Sequence, residues 1–192
     1  LAYRIPGPGR LAWVEQEVEK MGNRLPRSQP EIYAKESLYL HERQQTELIL
    51  QALRIGDLGI TAIPNEVFAI TGLKLKRQSP LTNMFNISLA NGAEGYIPPP
   101  EQHALGGYTT WAARTAGLEI NAEPRIVESL LKLLEEVSDR PRRALKEIHG
   151  PYAQSVQNSN PMAYWRLEEM SMPVAHEMTG RYNAHFEEGV AL

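Results

Sequence analysis

The chain has 192 residues, 42% of them hydrophobic and 22% charged, enough for one good-sized domain or one domain and part of another. Its formal net charge of −3 argues against nucleic acid as a partner. Cysteine is absent, which excludes disulfides, thiolate zinc sites and cysteine nucleophiles. No apolar run approaches the roughly eighteen residues of a membrane span, so we expect no transmembrane segment.

The N-terminal third predicts two helices followed by a hairpin. Residues 10–22 place apolar side chains on one helical face, and residues 31–45 form a looser second helical pattern. Within 47–64, two apolar, β-branched runs flank Gly56-Asp57, which is typical of a hairpin with a short turn. The apolar positions of the first helix are Leu11, Val14 and Val18.

The middle of the chain predicts two more helices and a strand. Asn65 is placed to cap a short helix over 66–77, and 84–90 has the composition of a buried strand. The clearest helix is 123–140, with Pro124 at its start. Its apolar stripe consists of Ile126, Val127, Leu130, Leu131, Leu134 and Val137.

The residue composition changes after residue 138. Residues 139–160 are polar, basic and broken by proline, which predicts a linker. Its basic residues would suit phosphate or anionic lipid, although a solvated connector is the more ordinary interpretation. Beyond it, PMAYWRLEEM and TGRYNAHFEEGVAL have the composition of a strand, a turn and a second strand. The basic residues are Arg140, Arg142, Arg143 and Lys146.

Few residues suggest chemistry on their own. The histidines lack metal-ligand spacing, and no nucleophile elbow or Walker loop occurs. Glu66 follows the end of an apolar strand, where active-site carboxylates are common, but it could equally be a helix N-terminal charge. The Gly- and Pro-rich loop 89–111 carries Tyr96 and Tyr108, which could donate hydrogen bonds to a substrate or simply anchor the loop.

Two runs resemble the C-terminal half of the catalytic domain of neutral, non-lysosomal ceramidases. They are LRIGDLGITAIPNEVFAITGLKLK and ISLANGAEGYIPPPEQHALGGYTTW, and the resemblance covers roughly residues 40–138. It rests on the spacing of a Pro-x-Glu strand end, a Thr-Gly step, an asparagine and two tyrosines. The matching positions are Pro64, Asn65, Glu66, Thr71, Gly72, Asn91, Tyr96 and Tyr108.

The resemblance implies a zinc-dependent amidohydrolase that acts on ceramide or a related lipid amide. Glu66 and Tyr96 correspond to metal ligands, and Tyr108 corresponds to the residue that faces the substrate amide. Because Glu66 and Tyr96 follow two apolar strands, we expect those strands to be neighbours that bring both side chains to one edge. The family's histidine ligands lie in an N-terminal half that this sequence lacks, so we expect the chain alone to be inactive. The loop run PPPEQHALGG also departs from the family pattern, which leaves the substrate open.

The tail has a resemblance of its own. MAYWRLEE, the TGRYNA turn and GVAL resemble the opening strands of a laminin-G/concanavalin A-like jelly-roll domain. Such modules bind carbohydrate or protein outside the cytoplasm, so we expect an extracellular or periplasmic parent protein of which this chain is an internal piece.

The predicted fold class is α/β. We expect a partial mixed sheet with flanking helices over 1–138, a linker over 139–160 and the first strands of an incomplete β-sandwich over 161–192. Two rivals to the enzyme remain open. One is a non-catalytic ceramidase-like scaffold with a carbohydrate- or protein-binding jelly-roll module. The other is an α/β domain in which Glu66 and Tyr96 never meet.

Overall fold

A computed structural model describes residues 1–145, 150–167 and 174–187. The chain divides into two compact units, Leu1–Arg143 and Ala144–Leu192, and the division falls inside the predicted linker. The first unit combines helices with a small mixed sheet, so the α/β class is confirmed. Among the residues described, no helix is both long enough and apolar enough to cross a membrane.

The first unit contains three long helices, two short ones and strands of at most five residues. It contains α1 (Pro8–Met21), α2 (Gln29–Arg43), β1 (Gln51–Ile55), β2 (Leu58–Ala62), β3 (Glu66–Val67), α3 (Ala69–Gln78), β4 (Asn83–Ile87), β5 (Tyr96–Ile97), α4 (Pro100–Leu105) and α5 (Ala122–Ser138). Single 3-10 turns lie at Tyr108–Thr110 and Arg114–Ala116. The described part of the second unit contains α6 (Pro151–Asn158), β6 (Val174–Ala175) and β7 (Ala184–His185).

The first two helices form as the sequence predicts. Proline stands in the first turn of both α1 and α2, where its missing N–H costs no hydrogen bond. At the end of α1, Gly22 turns the chain at φ 56° and its N–H donates to the carbonyls of Val18 and Glu19. The two helices pack against each other, with Val14 and Leu40 fully buried.

The main sheet has the order β1-β2-β4. β1 and β2 form the predicted antiparallel hairpin around Gly56-Asp57, and β4 runs parallel to β2. One face of the sheet packs on α5 and includes Met84. On the opposite face Leu53, Ile60 and Phe85 lie side by side in register, and Leu53 and Phe85 are exposed. The prediction that 84–90 is buried is therefore wrong for one face of the strand, because successive side chains point to opposite sides.

The core of the first unit is built on α5. Its predicted stripe is buried from Ile126 to Leu134, whereas Val137 is 38% exposed near the helix end. Glu123, in the first turn of α5, is fully buried. Its carboxylate accepts hydrogen bonds from Thr71 Oγ1 at 3.0 Å and from Lys74 Nζ at 3.0 Å, both on α3. An ion pair between a buried carboxylate and a partly exposed lysine therefore joins α3 to α5.

The predicted helix over 66–77, capped by Asn65, is wrong at its start. α3 begins at Ala69, and Glu66–Val67 instead form β3, which pairs in parallel with β5. Asn65 is fully buried, and its Nδ2 donates to the Glu94 carbonyl at 2.8 Å rather than capping a helix. The interpretation of Glu66 as a helix N-terminal charge is wrong for the same reason, because Glu66 lies in β3, which pairs with β5 before α3 starts.

The basic residues after α5 are not simply solvated. Arg142 forms ion pairs with Glu128 at 2.6 Å and Glu135 at 2.8 Å, which raise its pKa. Arg143 donates to the carbonyl of Ser79 at 2.6 Å. The charge of Arg142 and hydrogen-bond donors of both arginines are thus used within the first unit, and Lys146 lies outside the described residues. Helix α6 also lies within the predicted linker, where the sequence indicated no periodic element.

Glu177 joins several backbone groups of the second unit. Its carboxylate accepts hydrogen bonds from the backbone N–H of Tyr164 at 2.7 Å, from Thr179 Oγ1 at 2.5 Å and from the N–H of Arg181 at 3.1 Å. Burial acts to raise the pKa of Glu177, but these hydrogen bonds outweigh it and hold the pKa at about 2.

Two short strands flank this turn. β6 and β7 pair antiparallel, and Trp165 Nε1 donates to the Tyr182 carbonyl at 2.8 Å. β7 lies inside the predicted second segment, 179–192, whereas β6 follows the predicted first segment, 161–170, in which Trp165 forms an isolated bridge with Glu177. Residues 168–170 and 188–192 of the predicted segments lie outside the described residues. The jelly-roll assignment remains a prediction.

Candidate functional site

Two segments that are distant in sequence are joined by backbone hydrogen bonds near the end of the main sheet. Residues 63–66 follow β2, and residues 87–95 follow β4. The joining bonds are Ile63 N–H to Ile87 O at 3.0 Å, Leu89 N–H to Asn65 O at 3.0 Å, Ala90 N–H to Ile63 O at 3.0 Å, Glu94 N–H to Pro64 O at 2.8 Å and Glu66 N–H to Gly95 O at 3.0 Å. The loop after β4 is thus fixed to the segment that carries Glu66.

This pairing brings Glu66 and Tyr96 together. They are directly opposite each other in the parallel β3–β5 pair, and the preceding strands β2 and β4 are neighbours, as expected from the sequence. The Tyr96 ring contacts the Tyr108 ring edge to face, with centroids 5.5 Å apart and planes at 76°. Glu66 and Tyr108 are exposed and Tyr96 is half-buried, so the three side chains are open to solvent. We call Glu66, Tyr96 and Tyr108 the Glu–Tyr–Tyr cluster.

Close backbone contact fixes the position of Tyr96. Gly95 has φ 78°, and a Cβ there would lie 2.5 Å from the Thr115 carbonyl oxygen. At Gly92 a Cβ would lie 2.8 Å from Cβ of Pro64. Glycine is therefore required at both positions, because a side chain would separate segments that must touch.

Arg4 holds the far end of the same loop. Its Nε donates to the Leu118 carbonyl at 3.0 Å and one Nη donates to the Thr110 carbonyl at 2.8 Å, while the other Nη donates to the Ala116 carbonyl. Thr110 ends the 3-10 turn that begins at Tyr108, and its Oγ1 donates to the Gly107 carbonyl at 2.7 Å. The N-terminal segment therefore anchors the turn that carries Tyr108.

The cluster keeps Tyr96 in its neutral form. Hydrogen bonding with Tyr108, burial and the negative charge of Glu66 all raise the pKa of Tyr96 above its ordinary value of 10.0. A neutral phenol is a hydrogen-bond donor, and a carboxylate is an acceptor. The cluster can therefore offer phenol donors to a developing negative charge beside one fixed carboxylate.

As a metal site, the donor set on this chain is incomplete. Glu66 and Tyr96 offer two oxygen ligands, whereas a catalytic zinc usually has three protein ligands and one open position. Within the described ranges, no group of three or more His, Cys, Asp or Glu side chains is placed to hold an ion. These two oxygens could contribute to a zinc site only if further ligands come from outside the described residues.

Two aromatic residues that sequence reasoning did not single out extend the cluster. Trp111 contacts the Tyr108 ring with centroids 6.2 Å apart, and Tyr33 of α2 contacts Trp111 at 5.8 Å. Trp111 follows Tyr108 closely in the sequence, so its proximity could have been inferred. Tyr33 and Arg4 gave no such signal, because each reaches the loop from a distant part of the chain.

No protein-family model, curated protein or solved structure matches the chain.

The protonation of the Tyr96 phenol can be followed by NMR. With tyrosine labelled at Cζ, we expect the Tyr96 resonance to titrate above the ordinary tyrosine pKa of 10.0, because its neighbours favour the neutral phenol. Since the folded-state pKa is raised, the stability that this phenol contributes is present below pH 10.0 and is lost as pH rises through the folded-state pKa. Tyr96→Phe should remove this resonance. Tyr108→Phe and Glu66→Gln should each lower the titration midpoint of Tyr96 toward 10.0. If neither Tyr108→Phe nor Glu66→Gln changes the titration midpoint of Tyr96, the cluster does not form.

Proposed function

We propose that the first unit contributes part of the active site of an amidohydrolase that resembles neutral ceramidase. The observation that carries the proposal is the juxtaposition of Glu66, Tyr96 and Tyr108 from three separate segments of the chain. The resemblance requires these residues to meet, and the rival in which Glu66 and Tyr96 never meet is incompatible with their pairing. The substrate class is an N-acyl amide of ceramide or a related lipid.

Each residue has a defined role in this proposal. The Tyr108 phenol donates a hydrogen bond to the oxygen of the amide carbonyl as it becomes an oxyanion. The backbone pairing of β3 with β5 holds Glu66 and Tyr96 side by side, and these two residues would serve as ligands of a zinc ion. When bound, zinc supplies an activated water for attack on the amide. The remaining ligands come from elsewhere in the parent protein, so the 192-residue chain alone is inactive.

The second unit is proposed to begin a laminin-G/concanavalin A-like module that binds carbohydrate or protein. This part of the proposal is supported by the sequence resemblance and by the antiparallel β6–β7 pair. It implies an extracellular or periplasmic parent protein. A non-catalytic scaffold carrying the same module is the alternative, and the hydrolysis assay distinguishes the two.

The proposal is tested by fatty-acid release from a short-chain fluorescent ceramide and related lipid amides. In the full-length parent protein loaded with zinc, we expect Tyr108→Phe to lower kcat about 100-fold, because one donor to the oxyanion is lost. Glu66→Ala should abolish activity and reduce the zinc content. Tyr152→Phe is a matched control, because Tyr152 is 79% exposed on α6 and belongs to no proposed site.

Three results would contradict the proposal. They are an inactive parent protein with zinc bound, a Tyr108→Phe variant with unchanged kcat, and a Glu66→Ala variant that keeps both zinc and activity. The first would favour the non-catalytic scaffold. Turnover by the 192-residue chain alone would overturn the assignment of the missing ligands to another part of the protein.

A further inference from the structure

A cavity of about 420 Å³ lies in the first unit between the N-terminal segment, α1, α2 and the turn after Tyr108. Its walls combine two guanidinium groups with two aromatic rings. The lining residues that matter here are Arg4, Arg10, Gln29, Tyr33, Ser37 and Trp111. We call this space the two-arginine cavity.

The positive charge of Arg4 is not neutralised by a carboxylate. Its three hydrogen bonds go to backbone carbonyls, which are uncharged, and it forms no ion pair with an acidic side chain among the described residues. Burial lowers the pKa of Arg4, which reflects the cost of holding this charge partly away from water. Three of the five guanidinium N–H donors are used, so donor capacity remains.

Arg10, an exposed residue of α1, adds a second guanidinium to the cavity wall. It lies over the Trp13 ring, with Cζ 4.0 Å from the ring centroid, and forms no ion pair with any described carboxylate. A guanidinium held by a ring face keeps its N–H groups in the plane available for an anion. Two unpaired arginines on the wall of one cavity create a local positive potential in a protein whose net charge is −3.

A neighbouring cavity shows the contrast within the same unit. It has a volume of about 390 Å³, shares Tyr33 as a wall and is lined by Arg114 and Glu36. Arg114 there is paired with Glu36 at 2.6 Å, so its charge is already satisfied. Of these two cavities, the two-arginine cavity is the one whose arginines form no ion pair with a carboxylate among the described residues.

We propose that the two-arginine cavity binds an anionic group, a carboxylate, sulfate or phosphate, carried on an apolar or aromatic body. Arg4 and Arg10 recognise the charge, because guanidinium donors match the oxygens of all three groups. Tyr33 and Trp111 contact the body of the ligand. Gln29 and Ser37 supply neutral polar groups at the same wall.

The cavity adjoins the candidate active site through Trp111, whose ring contacts Tyr108. If the Glu–Tyr–Tyr cluster is hydrolytic, which rests on the function proposed above, the anionic group belongs to the far end of the same substrate. An amide substrate with an acidic substituent would then be preferred over a neutral one. The binding site itself does not depend on hydrolysis.

Calorimetric titration of the 192-residue chain tests the site without any turnover. The probes are phenylacetate, benzenesulfonate and phenyl phosphate, with phenylacetamide as the neutral analogue. We expect at least one anion to bind about tenfold more tightly than phenylacetamide, a difference that falls as sodium chloride is added. The order of the three anions identifies the preferred group.

Variants assign the binding to the arginines. Arg10→Gln should weaken binding of the preferred anion about tenfold and leave phenylacetamide unchanged, because one charge-assisted contact is lost. Lys132→Gln, which removes one positive charge from an exposed position of α5 outside the cavity, should change neither. Circular dichroism of each variant checks folding, and the salt dependence of the wild type tests the charge even if Arg10→Gln misfolds.

The inference is overturned if no anion binds, if phenylacetamide binds as tightly as the anions, or if Lys132→Gln weakens binding as much as Arg10→Gln does. These outcomes leave the effect of Tyr108→Phe on hydrolysis untouched. Conversely, an inactive parent protein would leave the anion titrations standing, so the two proposals fail separately.

Discussion

Gly95→Ala is expected to lower the free energy of unfolding of the first unit by about 3 kcal/mol. Two costs combine at this position. An alanine must adopt φ 78°, a conformation that L side chains rarely take, and its Cβ would lie 2.5 Å from the Thr115 carbonyl oxygen. That oxygen belongs to backbone and cannot rotate away. The segment carrying Tyr96 should therefore move, and the pairing of Glu66 with Tyr96 should be lost.

Gly106→Ala separates the two costs. Gly106 has φ 77°, almost the same as Gly95, but a Cβ there would meet nothing within 4 Å. It should cost about 1–2 kcal/mol, from backbone conformation alone. Denaturant unfolding of both variants measures the difference, and hydrogen exchange across 88–118 reports the local effect. If Gly95→Ala costs no more than Gly106→Ala, the close contact with Thr115 does not constrain the loop.

The sequence predicts the long elements of the first unit well, because each has a local cause. α1 and α5 show apolar residues at helical spacing, and both begin with proline in or near the first turn. The hairpin around Gly56-Asp57 follows from two apolar runs separated by a two-residue turn. These signals lie within a short stretch of chain, so no knowledge of distant residues is needed.

The errors arise where distant segments decide the conformation. Asn65 looks like a helix cap from its neighbours, yet it is buried against the loop near Glu94. Strands as short as Glu66–Val67 have no periodicity to detect, and they form because β5 supplies their partner. The exposed face of β4, with Phe85 and Ile87, is likewise set by the packing of the sheet on a single helix layer.

The candidate site was predictable only through the family resemblance. Spacing alone left Glu66, Tyr96 and Tyr108 open to ordinary structural roles, and their proximity depends on backbone bonds between segments about thirty residues apart. Thr71 illustrates the opposite case. It belongs to the matching pattern, but in the structure its hydroxyl donates to Glu123 in the interior, away from the cluster, so that position has a structural explanation.

The buried carboxylate of Glu123 also predicts a large loss of stability when Lys74 is replaced. Lys74→Met is expected to lower the free energy of unfolding by about 3 kcal/mol or more. Glu123 is fully buried, and Lys74 is its only charged partner among the described residues, at 3.0 Å. Without the ammonium group, a carboxylate would remain in the core with one hydroxyl donor, Thr71. An uncompensated buried charge is far more costly than the pair is stabilising.

A double-mutant cycle measures the coupling free energy between Lys74 and Glu123. Glu123→Gln should cost only about 1 kcal/mol, because Lys74 is partly exposed and can reach water, while the amide oxygen can still accept from Thr71. In Lys74→Met/Glu123→Gln no buried charge is left, so much of the loss caused by Lys74→Met should be recovered. The coupling energy should therefore favour the charged pair by about 2 kcal/mol. Strictly additive effects of the two substitutions would mean that Lys74 does not neutralise Glu123 in solution, and α3 would then be held to α5 by apolar packing and the Thr71–Glu123 hydrogen bond.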